Sequence, residues 1–172
     1  MHIQEFNHLI QQISGSTFVS MDCVTVPVLK GGKSNPHKDR VVKVAKGHRV
    51  QLFTNQTKNA YEAKVNRERA AEGKTPDFKV APLQWGKHLP NSPLIEHNGK
   101  LYLQVMFHKS GTTSYEMDGK PIAKDDIIGL PEVKGSGRQG LDDDNAVQIR
   151  SFDIANIRAL RAFGEEVGTP LT

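Results

Sequence analysis

Between Lys30 and Arg49 the chain carries Lys30, Lys33, Lys38, Arg40, Lys43, Lys46 and Arg49 against one acid, Asp39. Charge of one sign at that density attracts a polyanion or keeps a loop solvated. Aromatic residues follow at Phe53, Tyr61, Phe78, Trp85, Tyr102, Phe107 and Tyr115. Single-stranded nucleic acid needs that pairing: lysine and arginine track the phosphates, and ring faces stack on bases at about 1–3 kcal/mol each. Trp85 and Tyr102 are the expected platforms, since Trp85 lies in a Gly/Pro-rich segment and Tyr102 falls on the polar face of its strand. Phe107 falls on the apolar face and is expected to be structural. The competing expectation for Trp85 is that it plugs the end of a sheet, because tryptophan is usually buried.

Other chemistries fit the residues less well. Gly32-Lys33-Ser34 matches the end of a phosphate-binding P-loop, but Pro27 stands where that motif needs glycine and Pro36 stands where a helix should begin. The expected structure there is a flexible basic turn. The histidines His2, His8, His37, His48, His88, His97 and His108 include no HExxH-type spacing, and Cys23 has no second cysteine with which to build a zinc site. His97 and His108 bracket one strand and are expected at turns or on the surface. Asp142-Asp143-Asp144 offers oxygen ligands for a hard cation such as magnesium, yet three adjacent side chains do not face one ion without an unusual turn. A solvated acidic loop is the expectation, and that loop would compete with DNA for the basic stretch. There is no G-x-S-x-G, and Cys23 has no base beside it in sequence. The pattern points to a binding protein, with no catalytic residue, metal or cofactor.

These residues are positioned by a pattern of short strands. Leu94–His97 and Leu101–Phe107 flank Asn98-Gly99, a pair that tolerates the positive φ of a type I′ hairpin turn. Leu101, Leu103, Val105 and Phe107 share one face, and Lys100, Tyr102, Gln104, Met106 and His108 share the other, a period of two that marks a strand with one buried side. Ser110-Gly111 is expected to turn the chain into a third run, Thr113–Met117, making a meander with a polar outer face. Thr17–Leu29 reads as a long strand bent at Pro27. Arg40–Ala45 and His48–Thr54 read as a hairpin about Lys46-Gly47. Asp118-Gly119 marks another tight turn.

Helical spacing of Ile3, Phe6, Leu9, Ile10 and Ile13 predicts an amphipathic helix over 1–14, covering the sheet or a second subunit, and ended by Gly15. Asn59 followed by Glu62 predicts a second helix running to Glu72, with Gly73 as its stop. Thr75–Pro93 reads as irregular. Ala123–Ile128 fits one or two helical turns, Pro131–Asp144 a loop and Val147–Phe152 a strand. Ile154–Phe163 fits helix or strand. The fold class expected is α+β: a mainly antiparallel sheet or small OB-like barrel, with an N-terminal helix and one internal helix. The helix over 1–14, one β-rich domain over 15–167 and a disordered tail over 168–172 are the expected units.

Charge and hydropathy bound the setting. The net charge of +4 is mildly basic, a value shared by many proteins that never touch nucleic acid, so the clustering carries the argument. No apolar run is long enough to span a bilayer and no signal-type leader is visible. With one cysteine, Cys23, in an apolar strand pattern, the expectation is a buried filler residue in a cytoplasmic protein.

The runs TFVSMDCVTVP, AYEAKVNRERAAEGKTPDFK and WGKHLPNSPLIEHNGKLYLQV resemble small proteins of tailed bacteriophages, some of them described as single-stranded DNA-binding. The likeness covers roughly Gly15 to Glu166 and brings no catalytic motif. It implies a single-stranded DNA-binding protein of phage replication or recombination, working in the host cytoplasm. The chain departs from bacterial single-stranded DNA-binding proteins, which end in an acidic tail, whereas this one ends Gly168-Thr169-Pro170-Leu171-Thr172. Two other readings stand beside it: an accessory protein that binds a host protein or small nucleotide to block a defence pathway, and a virion or assembly component that makes a homo-oligomer through its first helix.

Overall fold

The computed structural model describes residues 3–12, 18–28, 31–44, 50–80, 85–89, 92–108, 115–122, 132–135 and 147–163. Two helices, α1 (Ile3–Gln12) and α2 (Asn55–Ala71), accompany strands β1 (Phe18–Val24), β2 (Val41–Val44), β3 (Val50–Leu52), β4 (Lys87–His88), β5 (Leu94–His97), β6 (Lys100–His108), β7 (Tyr115–Met117), β8 (Lys120–Ile122), β9 (Glu132–Gly135), β10 (Val147–Asp153) and β11 (Ile157–Phe163). All pair antiparallel in one sheet, in the order β4-β5-β6-β3-β1-β2-β7-β8, with β10 on the other edge of β6, β9 outside β10, and β11 outside β1. The mainly antiparallel α+β class is what the sequence pattern implied.

The β5–β6 hairpin forms where the turn chemistry put it. Asn98 and Gly99 take φ of 50° and 76°, the positive pair a type I′ turn needs, and Leu94 pairs with Leu103. Leu103, Val105 and Phe107 are buried and Leu101 is half-buried. Two expected pairings do not form. β2 and β3 make no hairpin about Lys46-Gly47; both lie end to end along the same edge of β1, through Met21↔Val44 and Phe18↔Gln51. β7 does not pair back onto β6 either, but onto β2 through Val44↔Tyr115. In both places a local turn signal was outweighed by pairing with a strand distant in sequence, which buries more of each short run.

The inner face of the sheet holds the main core: Val19, Met21, Cys23, Val42, Val44, Val50, Leu52, Leu94, Leu103, Val105, Phe107 and Phe152. Helix α1 covers it with Phe6, which is fully buried, helped by Leu9 and Ile10. The helix thus covers its own sheet; Ile13 and Gly15 lie outside the described residues. Cys23 is buried as expected, and burial pushes its thiol up to about 12. The sheet also curls. From β10 across β6, β3 and β1 to β11 is four strand spacings, roughly 19 Å if flat. Only the 3-10 turn Ile154–Asn156 joins the end of β10 to the start of β11. Such a turn rises about 2 Å per residue, so the two strands must be brought together by curvature. No ladder among the described residues joins β10 to β11, and the sheet remains open.

The outer face differs from its expected polar character. Tyr102, Gln104, Met106 and His108 are all buried. A second apolar cluster of Phe53, Val65, Phe78, Val80, Met106, Val147 and Ile149, with Tyr61 against it, covers this half of the sheet. Helix α2 and the extended segment 74–80 supply the cover. The helix begins earlier than Asn59: Thr54 caps it, its Oγ1 accepting from Thr57 N at 3.1 Å while Thr57 Oγ1 accepts from Thr54 N at 2.9 Å. Glu62 is therefore mid-helix and free to reach across, taking the Val80 N–H at 2.7 Å. Asn66 bonds both the N–H and the carbonyl of Phe78, at 2.8 and 3.1 Å, as a neighbouring strand would. Those two side chains hold the supposedly irregular segment against the helix.

The remaining expectations divide. Ile154–Phe163 resolves into the short turn and β11, Val147–Phe152 into β10, and part of the loop expected over Pro131–Asp144 into β9. Ala123–Ile128, Asp142-Asp143-Asp144 and the tail 168–172 lie outside the described residues. Among the described residues no helix is long and apolar enough to cross a membrane.

Candidate nucleic-acid interface

The aromatic half of the expected site assembles at the turn end of the β5–β6 hairpin. Strand β4 enters alongside β5, pairing Lys87 with Glu96 and His88 with Ile95. Gly86 makes that approach possible: a Cβ there would lie 2.3 Å from the Glu96 carbonyl oxygen, far inside contact distance. The same approach lays the Trp85 ring on His97, centroids 4.1 Å apart and planes 29° from parallel. Trp85 also meets Tyr102 edge-on at 4.8 Å.

Trp85 is half-buried: it lies at the end of the sheet and keeps some surface open. Tyr102 is not an open platform. With 6% of its surface exposed it is backing for Trp85, because the ring lies under the tryptophan and against its neighbours on the sheet. Burial raises the Tyr102 hydroxyl pKa above its ordinary value, and the charge of Asp153, opposite it on β10, adds to the rise. Lys100 is exposed beside this corner, in register with His97, whereas Lys87 stands across from Glu96 on the other face. Lys100 gives no signal in the sequence, because it stands alone in the chain. Only the β5–β6 register brings it to the face that holds Trp85.

The basic half lies elsewhere and is partly neutralised. Lys30, Lys46 and Arg49 fall outside the described residues. Lys33 and Lys38 are exposed on the loop after β1, and among the described residues neither makes an ion pair. That loop is well anchored. Buried Asn35 donates to the Val26 carbonyl at 2.7 Å and accepts from His37 N at 2.8 Å, and Thr25 Oγ1 bonds the His37 carbonyl. Arg40 pairs with Asp118 at the β7–β8 turn. Lys43 sits on the outer face between two acids in register, Asp22 on β1 and Glu116 on β7. Arg161 extends the row by forking onto Asp22 at 2.7 Å. Lys43 therefore belongs to a row of alternating charge, which cross-strand pairing favours.

The sheet register separates the two halves. From Tyr102 the path runs four residues along β6 to Met106, across β3 to Phe18, and four along β1 to Asp22, which faces Lys43. That is roughly 26 Å along the strands and roughly 14 Å across them, measured on a flat sheet. Trp85 and the loop lysines sit at opposite ends of one curved surface. Among the described residues no group of three or more His, Cys, Asp or Glu side chains is placed to hold a metal ion.

Comparison with protein-family models, with curated proteins and with solved structures gives no match.

Proposed function

We propose that this chain is a non-enzymatic nucleic-acid-binding protein that prefers single strands and, as the phage resemblance implies, serves DNA replication or recombination. The observation that carries the reading is the half-open Trp85 ring, fixed on His97 and Tyr102, with exposed Lys100 in register with His97. An aromatic face held rigid beside cations is how sequence-tolerant single-strand binders take a base and its phosphates. Lys33 and Lys38 add a second cationic point at the far end of the sheet, as a strand running over several nucleotides would use. The homo-oligomer reading draws less support, because the apolar side of α1 is already taken up by its own core at Phe6.

The test is fluorescence anisotropy of a short labelled single strand at several salt concentrations, with duplex of equal length alongside. Trp85→Ala should weaken single-strand binding by about 1–3 kcal/mol with little change in salt slope, because stacking releases no ions. No binding at low salt, or a tighter grip on duplex, would reject the reading.

A further inference from the structure

We propose that Asp153 makes the Trp85 site selective, favouring bases that carry an amino group over thymine. The proposal rests on the nucleic-acid reading above and goes further by naming which bases are preferred. On the outer face, Ile95, Tyr102 and Asp153 form one row across β5, β6 and β10. Tyr102 is the ring that backs Trp85, so the Asp153 carboxylate stands about one strand spacing, roughly 4.8 Å, beyond it. A base stacked on Trp85 would turn an edge toward that side.

The carboxylate is both fixed and available. Asp153 Oδ1 accepts the Ala155 N–H at 2.9 Å, which sets the side chain at the start of the 3-10 turn. Among the described residues Oδ2 has no hydrogen-bond partner, and the residue is half-exposed. A carboxylate only accepts. Cytosine and adenine each present an exocyclic amino donor, and guanine presents two adjacent N–H donors. Thymine presents a carbonyl oxygen where cytosine has its amino group, and its one donor, N3–H, lies between two carbonyl oxygens that repel an approaching carboxylate. These edges are free for reading only when the base is unpaired. Lys100 keeps the phosphate attraction that Asp153 alone would oppose.

Trp85 is the one tryptophan in the chain, so its fluorescence reports this site. The experiment titrates native protein with oligo-dC, oligo-dA and oligo-dT of equal length at one salt concentration, following the quench. The dC and dA strands should bind roughly fivefold or more tightly than dT, the low end of what a base-edge contact discriminates. Asp153→Asn still caps the turn, so it should fold as the native chain does, checked by its melting curve. Its amide offers donor and acceptor alike, and the ratio should fall toward one. Equal affinity for dT and dC in the native protein, or a preference that survives in Asp153→Asn, would overturn the assignment while leaving single-strand binding standing. Absence of binding to all three strands would overturn both.

Discussion

Arg161 closes a fork on Asp22: Nη1 donates to Oδ1 at 2.8 Å and Nη2 to Oδ2 at 2.7 Å. The two residues come from opposite ends of the chain, and the fork ties β11 to β1 along the outer face. The Arg161 hydrogen bond holds the Asp22 carboxyl below the ordinary carboxylate range, outweighing the burial that pushes it up; the charges of Arg161 and Lys43 help.

That relationship fixes a pH dependence. A carboxylate whose folded pKa is lowered adds stability that is fully present above its unfolded pKa, near 3.9, and lost as pH falls below that toward the folded value. Asp22→Asn should therefore cost about 1 kcal/mol at pH 7, as a well-aligned but partly exposed pair does, and almost nothing near pH 2. Urea melts of both proteins at the two pH values measure the difference. A constant gap would show that the fork is not the source.

Phe6 anchors α1 in the main core with none of its surface exposed. Phe6→Ala should cost about 3–5 kcal/mol in a chemical melt, the usual range for a buried phenylalanine. Mass by light scattering should not change, since the ring packs on its own sheet. A change in mass with stability intact would reassign the helix to a neighbour.

Gly86 tests how Trp85 is held. Gly86→Ala would place a methyl against the Glu96 carbonyl, so β4 must move away from β5. The tryptophan emission should shift to the red as the ring leaves His97, and oligonucleotide affinity should fall about as far as in Trp85→Ala, roughly 1–3 kcal/mol. The global melting point should move little, because β4 is a two-residue edge strand. An unshifted emission maximum would contradict this account.

The ion pairs sort the basic residues. Neutralising Lys33 and Lys38 together should flatten the plot of log K against log salt by about 0.7 for each single-strand phosphate that then keeps its counterion. Neutralising Arg40 and Lys43 should flatten it less, because Asp118, Asp22 and Glu116 already compensate them. Equal changes from the two double variants would mean that those acids do not screen their partners.

Local chemistry was legible in the sequence and distant cover was not. Asn98-Gly99 dictated a hairpin because the positive φ is demanded by the turn residues themselves. The alternation of β6 was correctly divided between two faces, yet Tyr102, Gln104, Met106 and His108 are buried rather than wet. Their cover arrives from Tyr61, Val65, Phe78 and Val80, and α2 has few apolar residues with which to advertise a packing face. Its true start was missed because threonine, not glutamate, closes the box at Thr57. In the candidate site, Trp85 was legible from its type and surroundings. Its partner His97 and the neighbouring Lys100 were not, since only the pairing of the strands brings them together. The clustered lysines were visible, but the acids opposite Arg40 and Lys43 come from strands that sequence proximity does not link.

The two pairs of abutting strands also bear on how the molecule opens. Strand β1 holds β3 at Phe18 and β2 from Met21 to Val24 along one edge, while β11 pairs along its other edge from Phe18 to Cys23. The end carrying Trp85 and the end carrying Lys33 and Lys38 are thus spliced by β1 and β11 together, and each end can open locally without the other. Their amides can exchange with solvent at different rates while the molecule stays folded. A strand of DNA that touched both ends would restrain local opening at each.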